Sequence, residues 1–246
     1  MFNPDGKNFF QLFISDKGLD DLGPLLQNCV DHVKFWSAGY EHFLIGGEEL
    51  RQIIERDMGV DVLQAYETLT PFAFKADLGR LCLLYLYGGW YLDVSCKLVR
   101  GLPDTGKITH VLFNAPQGPK HISWELQNSM IYAQKGSPLL ELAINIIIKN
   151  CREKYYGRSA LCPTGPGVLG RAFAIHGIDA SIENCGYFAL TPSYPKSNYA
   201  YVLNNGDILA WGKESFNHGL SAYGTTGTNS YALIYAARRV YGEEYN

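Results

Sequence analysis

Residues 74–96, FKADLGRLCLLYLYGGWYLDVSC, pass from helical to extended patterning within a few positions. Leu78, Leu81, Cys82 and Tyr85 fall at i, i+3, i+4 and i+7, which is one apolar face of a helix. Just upstream, Thr70 is a good N-cap and Pro71 suits a first helical turn, so the spacing predicts a helix from there to Gly88-Gly89, which ends it. Trp90 to Val94 then has strand character. Asp77 and Arg80, at i and i+3, share a helix face; strand alternation would turn Asp93 and Ser95 to one side. Asp93 and Ser95 are expected near a carboxyl end of a sheet, where open α/β folds bind ligands.

Outward from this stretch the pattern alternates. Phe9 to Ile14 is a short apolar run closed by Ser15-Asp16, a first buried strand with a polar loop at its end. Segment 20–34 has helical spacing in Leu22, Leu25, Leu26, Cys29, Val30 and Val33, Tyr40 to Ile45 reads as a second strand, and 47–66 as a second helix. This β-α-β-α order predicts an α/β fold with a central, mostly parallel sheet covered by helices. Farther on, Tyr199–Leu203 and Ile208–Trp211 flank Asn204-Asn205-Gly206-Asp207, a strong hairpin signal. Neither a repeat nor a linker interrupts residues 1–246, so one domain is expected.

Composition narrows the class. The 246 residues are 47% apolar and 13% aromatic, enough to bury a full core. A formal net charge of −3 gives no basic surplus for a phosphate backbone, so nucleic acid is not an expected partner. No basic segment followed by an apolar core opens the chain, and no apolar run approaches the ~18 residues that suggest a membrane helix. Six scattered cysteines without a CxxC pair fit neither a disulfide framework nor a zinc site. The expected setting is cytoplasmic, in solution or peripherally at the inner face of the membrane.

The ordered string Lys75-Ala76-Asp77-x-x-Arg80, a helix, Gly88-Gly89 and Tyr91-Leu92-Asp93-x-Ser95, with Leu98-x-x-Gly101-Leu102-Pro103 behind it, resembles the signature of glycosyltransferases whose sugar-binding region contains a DXD motif. Glycosyltransferase family 32 is the nearest form, and the large clostridial glucosylating toxins share a related version. Weaker echoes extend over most of the chain. Phe10-Gln11-x-Phe13-Ile14-Ser15 resembles the family's opening strand, where a Trp in place of Phe13 stacks on the nucleobase. Trp124-Glu125-Leu126-Gln127-Asn128-Ser129 resembles its central segment and Thr164-Gly165-Pro166-Gly167 its TGP loop. Asn217-His218 and Thr228-Asn229-Ser230-Tyr231 resemble its C-terminal nucleotide and metal loop.

The resemblance implies a GT-A-like fold and transfer of a sugar, with retention, from a nucleoside-diphosphate sugar such as a UDP-sugar to a glycan or lipid-linked oligosaccharide. It assigns donor contacts to Phe13, Ile14, Lys75, Asp77, Arg80, Asp93, Ser95, Gly165, Asn229 and Ser230, with Asp93, Asp77 and Arg80 as the catalytic set. The leaving diphosphate gathers negative charge, which a hard divalent cation on oxygen ligands neutralises. That implies Mn²⁺ or Mg²⁺ on Asp93, Ser95 and His218. The second aspartate of DXD is Ser95 here, and a neutral hydroxyl is a poorer ligand for a hard cation than a carboxylate, so either the site is weakened or no metal binds and cationic His218, with Lys75, meets the diphosphate directly. Trp124, Glu125 and Asn128 are candidates for the acceptor side, because sugars pack on exposed indole faces. Segment 217–230, with three glycines, reads as a lid. Taken singly, each residue has a plainer role: Asp77 and Arg80 a surface ion pair, Asp93 a turn former, His218 a structural histidine. Two other functions fit the same residues, a non-catalytic sugar-nucleotide or glycan-binding module and an effector-like protein glycosyltransferase.

Overall fold

The computed structural model describes residues 2–116, 124–177, 182–191, 198–213 and 219–242. Strand β1 (Asn8–Phe13) has every residue buried, which explains why it reads as a continuous apolar run and not as an alternation. Phe9 faces one core cluster while Phe10 and Leu12 face another, so both sides of the sheet are covered. A 3-10 turn (Gly18–Asp21) precedes helix α1 (Pro24–Trp36), and β2 (Glu41–Gly46) follows. The expected helix over 47–66 is two, α2 (Gly47–Asp57) and α3 (Val60–Thr68). The break is at Gly59, whose φ of 85° is a backbone state other residues rarely adopt.

Helix α4 (Phe72–Tyr87) is the one predicted from the 74–96 stretch, and Gly88 ends it with φ 67°. Its start differs from expectation: Thr70 does not cap it. The Thr70 hydroxyl donates to the Arg239 carbonyl at 2.5 Å, with the Val240 carbonyl at 3.2 Å, and the Phe72 amide donates instead to Asn229 Oδ1 at 3.0 Å. A cap from 157 residues away has no local signature. After α4 come β3 (Gly89–Leu92), the short β4 (Lys97–Leu98), β5 (His110–Asn114) and β6 (Leu126–Ala133). Helices α5 (Pro138–Arg152) and α6 (Pro166–His176) lead to β7 (Ile182–Thr191), β8 (Asn198–Leu203), β9 (Ile208–Trp211) and the short α7 (Tyr231–Ala236).

Among the described residues, nine strands form one sheet in the order β2-β1-β3-β6-β5-β7-β8-β9-β4. The sheet is mixed, and the mostly parallel arrangement expected is confined to β2-β1-β3 and to β5-β7. The other neighbours are antiparallel. β8 and β9 are joined by the tight Asn-Gly turn recognised in the sequence, a connection that only antiparallel neighbours can use. Helices α2 to α6 pack on one face around Leu78, Leu81, Cys82, Leu139, Ile147 and Val168, and Val33 of α1 on the other with Trp90, Leu98 and Tyr201.

Candidate active site

Because β1, β2 and β3 are parallel, their carboxyl ends share one edge of the sheet. Asp93 leaves that edge directly after β3. Its amide donates to the Ser129 carbonyl at 2.8 Å, and its carbonyl accepts from the Cys96 amide at 2.9 Å. Asp93-Val94-Ser95-Cys96 is therefore a tight turn and not a strand end, so strand alternation does not set the directions of Asp93 and Ser95. Helix α4 starts at the same edge and carries Asp77 and Arg80 on its first turns. The antiparallel β6 begins there with Asn128, and α6 begins there with the TGP loop.

These elements meet on Arg80, which is 4% exposed. Its guanidinium donates to Asp93 Oδ1 at 2.8 Å, to the Asn128 carbonyl at 2.8 Å and to the Ala76 carbonyl at 3.1 Å, and it is ion-paired with Asp77 Oδ1 at 3.1 Å. The same group lies over the Tyr91 ring at 4.6 Å, and the Tyr91 hydroxyl donates to Asp93 Oδ1 at 2.8 Å. Asp77 also accepts from Asn128 Nδ2 and from the Thr164 hydroxyl, each at 2.8 Å. Two carboxylates thus share one guanidinium in a largely dry setting, a geometry planar Arg can satisfy and Lys cannot. Burial raises the Asp77 carboxyl above its ordinary range against the opposing pull of Arg80. Burial also pushes the Tyr91 phenol well up, so it stays a donor.

The plainer reading of Asp77 and Arg80 as a surface ion pair fails on burial. Three of a guanidinium's five N–H bonds are in hydrogen bonds to protein and its remaining amino group is ion-paired with Asp77, so Arg80 positions the two carboxylates. Asp93 is the exposed member, with 34% of its side chain accessible and Oδ2 outside the hydrogen bonds that hold Oδ1. Gly165 caps α6, and a Cβ there would stand 3.3 Å from Asp77 Oδ2, so the glycine lets the TGP loop pack closely on that carboxylate, whose Oδ2 accepts from Thr164.

Several residues expected here have other duties. Lys75 turns to the other side of α4, donating to the Tyr66 carbonyl at 2.7 Å with its ammonium 4.3 Å from the Tyr66 ring centre. Phe13 is fully buried with Leu26, Val30, Val94 and Tyr223, leaving no open face for a nucleobase, and Ile14 is buried against the other core. Asn229 caps α4, and Ser230 caps α7 by accepting from the Leu233 amide. Asn128 belongs to the Asp77 network and not to an acceptor surface, and Glu125 is 1% exposed. Trp124 is half exposed as expected and lines a small cavity of about 70 Å³ with Tyr155, Cys162, Gly167, Val168 and Arg171. His218 lies outside the described residues.

The lid reading of 217–230 also changes for its described part. Asp21 accepts from the Thr226 amide and hydroxyl, both at 3.0 Å, from the Gly227 amide at 2.8 Å and from the Ser15 hydroxyl at 2.7 Å. These bonds hold its carboxyl well below the usual carboxylate range, with the Thr226 amide contributing most. Residues 226–227 are thus pinned to the loop after β1.

The described donor set does not fit a divalent cation. A hard cation wants six or more oxygens with negative charge among them, and here the motif offers one carboxylate, already paired with Arg80, and the Ser95 hydroxyl. No group of three or more His, Cys, Asp or Glu that could hold a metal occurs among the described residues. In addition, the half-buried Lys213 ammonium acts on Asp93 electrostatically. Sequence reasoning missed Lys213, Tyr91 and the role of Thr164. The first follows β9, more than 100 residues from the motif, and the other two look like ordinary core and loop residues.

Residues 26–112 match the family described as "Glycosyltransferase sugar-binding region containing DXD motif". No curated protein matches the sequence. Among solved structures, the chain resembles one titled "PaToxG Glycosyltransferase" with a TM-score of 0.52 at 16% identity, over 71% of this chain and 70% of that one. The family match spans the segment that carries Asp77, Arg80 and Asp93, and the fold is that of a GT-A-like α/β protein. Residues 26–112 thus match a DXD-type glycosyltransferase sugar-binding region, set in a fold that resembles that of a solved glycosyltransferase.

Proposed function

We propose that the chain transfers a sugar from a UDP-sugar to a glycan or lipid-linked oligosaccharide, with retention of anomeric configuration. The observation that carries this reading is the buried Arg80 that holds Asp77 and Asp93 at one sheet edge. Fixing two carboxylates there is worth its desolvation cost if a polyhydroxylated ligand uses the free lone pairs of Asp93 Oδ2 and of Asp77 Oδ2, which also accepts from Thr164. In this reading the outward Oδ2 of Asp93 and the glycine-flanked Oδ2 of Asp77 accept hydrogen bonds from donor hydroxyls. The acceptor hydroxyl attacks the anomeric carbon on the face the diphosphate leaves. The C–O bond to phosphate breaks with its electron pair going to the phosphate oxygen, and the acceptor proton passes to that departing group. Positioning supplies most of the rate, and no dedicated protein base is needed. The acceptor approaches past Trp124, whose exposed indole borders the Tyr155 and Arg171 cavity one turn along α6 from the TGP loop.

A second reading, a non-catalytic sugar-nucleotide-binding module, is favoured by one observation, Ser95 in place of a second carboxylate. The discriminating experiment is hydrolysis and transfer with a panel of nucleotide sugars. Turnover with any donor excludes the module, and tight binding without turnover across the panel excludes the transferase.

A further inference from the structure

We propose that the Lys213 ammonium neutralises the leaving diphosphate, in the place where a metal would be expected; this rests on the transferase reading above. β4 pairs with β9 antiparallel, Lys97 opposite Trp211 and Leu98 opposite Ala210. The pairing ends at Trp211, so Lys213 follows β9 at the same end of the pair at which the turn 93–96 enters β4, and that turn carries Ser95 where the DXD pattern has its second carboxylate. The backbone there is fixed: the Gly212 amide donates to the Tyr199 carbonyl at 2.7 Å, and a Cβ on Gly212 would stand 2.8 Å from the Phe188 ring. Lys213 is half buried, and its electrostatic partners are Asp93 and Cys96. Among the described residues it forms neither a hydrogen bond nor an ion pair.

Partial burial removes water from the Lys213 ammonium, which disfavours its charged form unless opposite charge lies near, and among the described residues that charge comes from Asp93. Its own burial lowers its pKa, which the field of Asp93 opposes. An anion arriving at the turn 93–96 would meet this ammonium at close range. A divalent cation at the same turn would meet like charge from Lys213 and Arg80 and only one carboxylate. The chemistry of the turn therefore suits a diphosphate held directly by the chain. As the anomeric C–O bond breaks and its electron pair moves onto the diphosphate, the charge that accumulates there meets the ammonium. The acceptor proton goes to the departing phosphate oxygen, and Lys213 keeps its own proton throughout.

The test uses the full chain after chelator treatment, with Lys213→Gln, which keeps the stem, and Lys213→Arg, which keeps the charge. Thermal melting checks that both variants fold, and calorimetry with UDP and with uridine adds a readout besides turnover. Wild-type turnover should survive chelation. Lys213→Gln should lose on the order of 100-fold in kcat, the scale of removing one preorganised donor at developing charge. It should also bind UDP about tenfold more weakly with uridine affinity unchanged, and Lys213→Arg should recover most of both. Loss of wild-type turnover in chelator, or unchanged UDP affinity and turnover in Lys213→Gln, overturns the role of Lys213 while leaving the transferase intact. A wild-type protein that binds no nucleoside diphosphate overturns both.

Discussion

Removing Arg80 tests whether the Asp77-Arg80-Asp93 network is a buried framework. Arg80→Ala deletes two ion pairs and two bonds to backbone carbonyls, and leaves Asp77, 9% exposed, without its cation. Breaking a buried pair from one side costs about 3–5 kcal/mol, because the remaining charge stays desolvated. For a chain of this size, about 2–4 °C of Tm accompanies each kcal/mol, so a fall of roughly 6–20 °C is expected. The loss should shrink as pH falls. Burial raises the Asp77 pKa and Arg80 opposes that rise, so without Arg80 the folded pKa climbs further. A raised carboxyl pKa means the folded state takes up a proton that the unfolded chain does not. Stability is then retained below the unfolded value and lost as pH rises through the folded one. Asp77→Asn in the Arg80→Ala background should recover part of the loss at pH 8 and little at pH 5. Urea unfolding of the four proteins at both pH values measures this as a double-mutant cycle. A penalty under about 1 kcal/mol, or one indifferent to pH, would return the pair to the class of surface ion pairs and refute the reasoning.

Asp93→Asn should lower transfer by at least about 100-fold with little change in melting, since its side chain is partly exposed and Asn retains an acceptor for Arg80; near-normal turnover would remove Asp93 from the site. Asp21→Asn should speed amide hydrogen exchange at Thr226 and Gly227 at pH 7, and in wild type that protection should persist through neutral and mildly acidic pH. The sign follows from a depressed carboxyl: its contribution is present above the unfolded value and is lost only as pH falls through the lower folded one. Gly227→Ala should open the same clamp, because its Cβ would lie 2.4 Å from the Ser15 hydroxyl and 3.1 Å from the Lys17 amide; unchanged exchange would show that the loop yields freely. Trp124→Ala should raise the acceptor KM and leave donor hydrolysis unchanged, and equal loss of both would place the indole elsewhere.

What could be read locally was read from local patterns. The 3.6-residue period of Leu78, Leu81 and Cys82, the Gly88-Gly89 stop and the Asn-Gly hairpin all depend on neighbours in sequence, and each gave the element found. Strand direction was legible only where an intervening helix demanded it, as in β1-α1-β2. The antiparallel insertion of β6 between β3 and β5 depends on pairings across the sheet that no window of residues contains. The cap of α4 shows the same limit: Thr70 has the right chemistry at the right place, and Asn229 outcompetes it from a distant loop.

The site divides along the same line. Asp77, Arg80 and Asp93 were legible because helix, turn and strand bring them together within 17 residues, and their burial was not, because it comes from Thr164, Asn128 and Tyr91 closing around them. Lys75 illustrates the opposite error. Two residues from Asp77 on a helix means about 200° of rotation, so a lysine beside the motif in sequence faces away from it in space. The cation that does face the motif comes from the end of β9 through an antiparallel pairing with β4. A substitution that removes one negative charge from a phosphate-handling turn changes which counter-charge the site can use. A nearby ammonium that would repel a bound metal becomes an asset once the metal's carboxylate is gone. Ser95 and Lys213 are therefore best treated as one coupled change: Ser95→Asp alone should pair with Lys213 and weaken UDP binding, whereas Ser95→Asp with Lys213→Gln should make UDP binding depend on Mn²⁺ or Mg²⁺. Metal dependence appearing equally in the single variant would show that the two positions act independently.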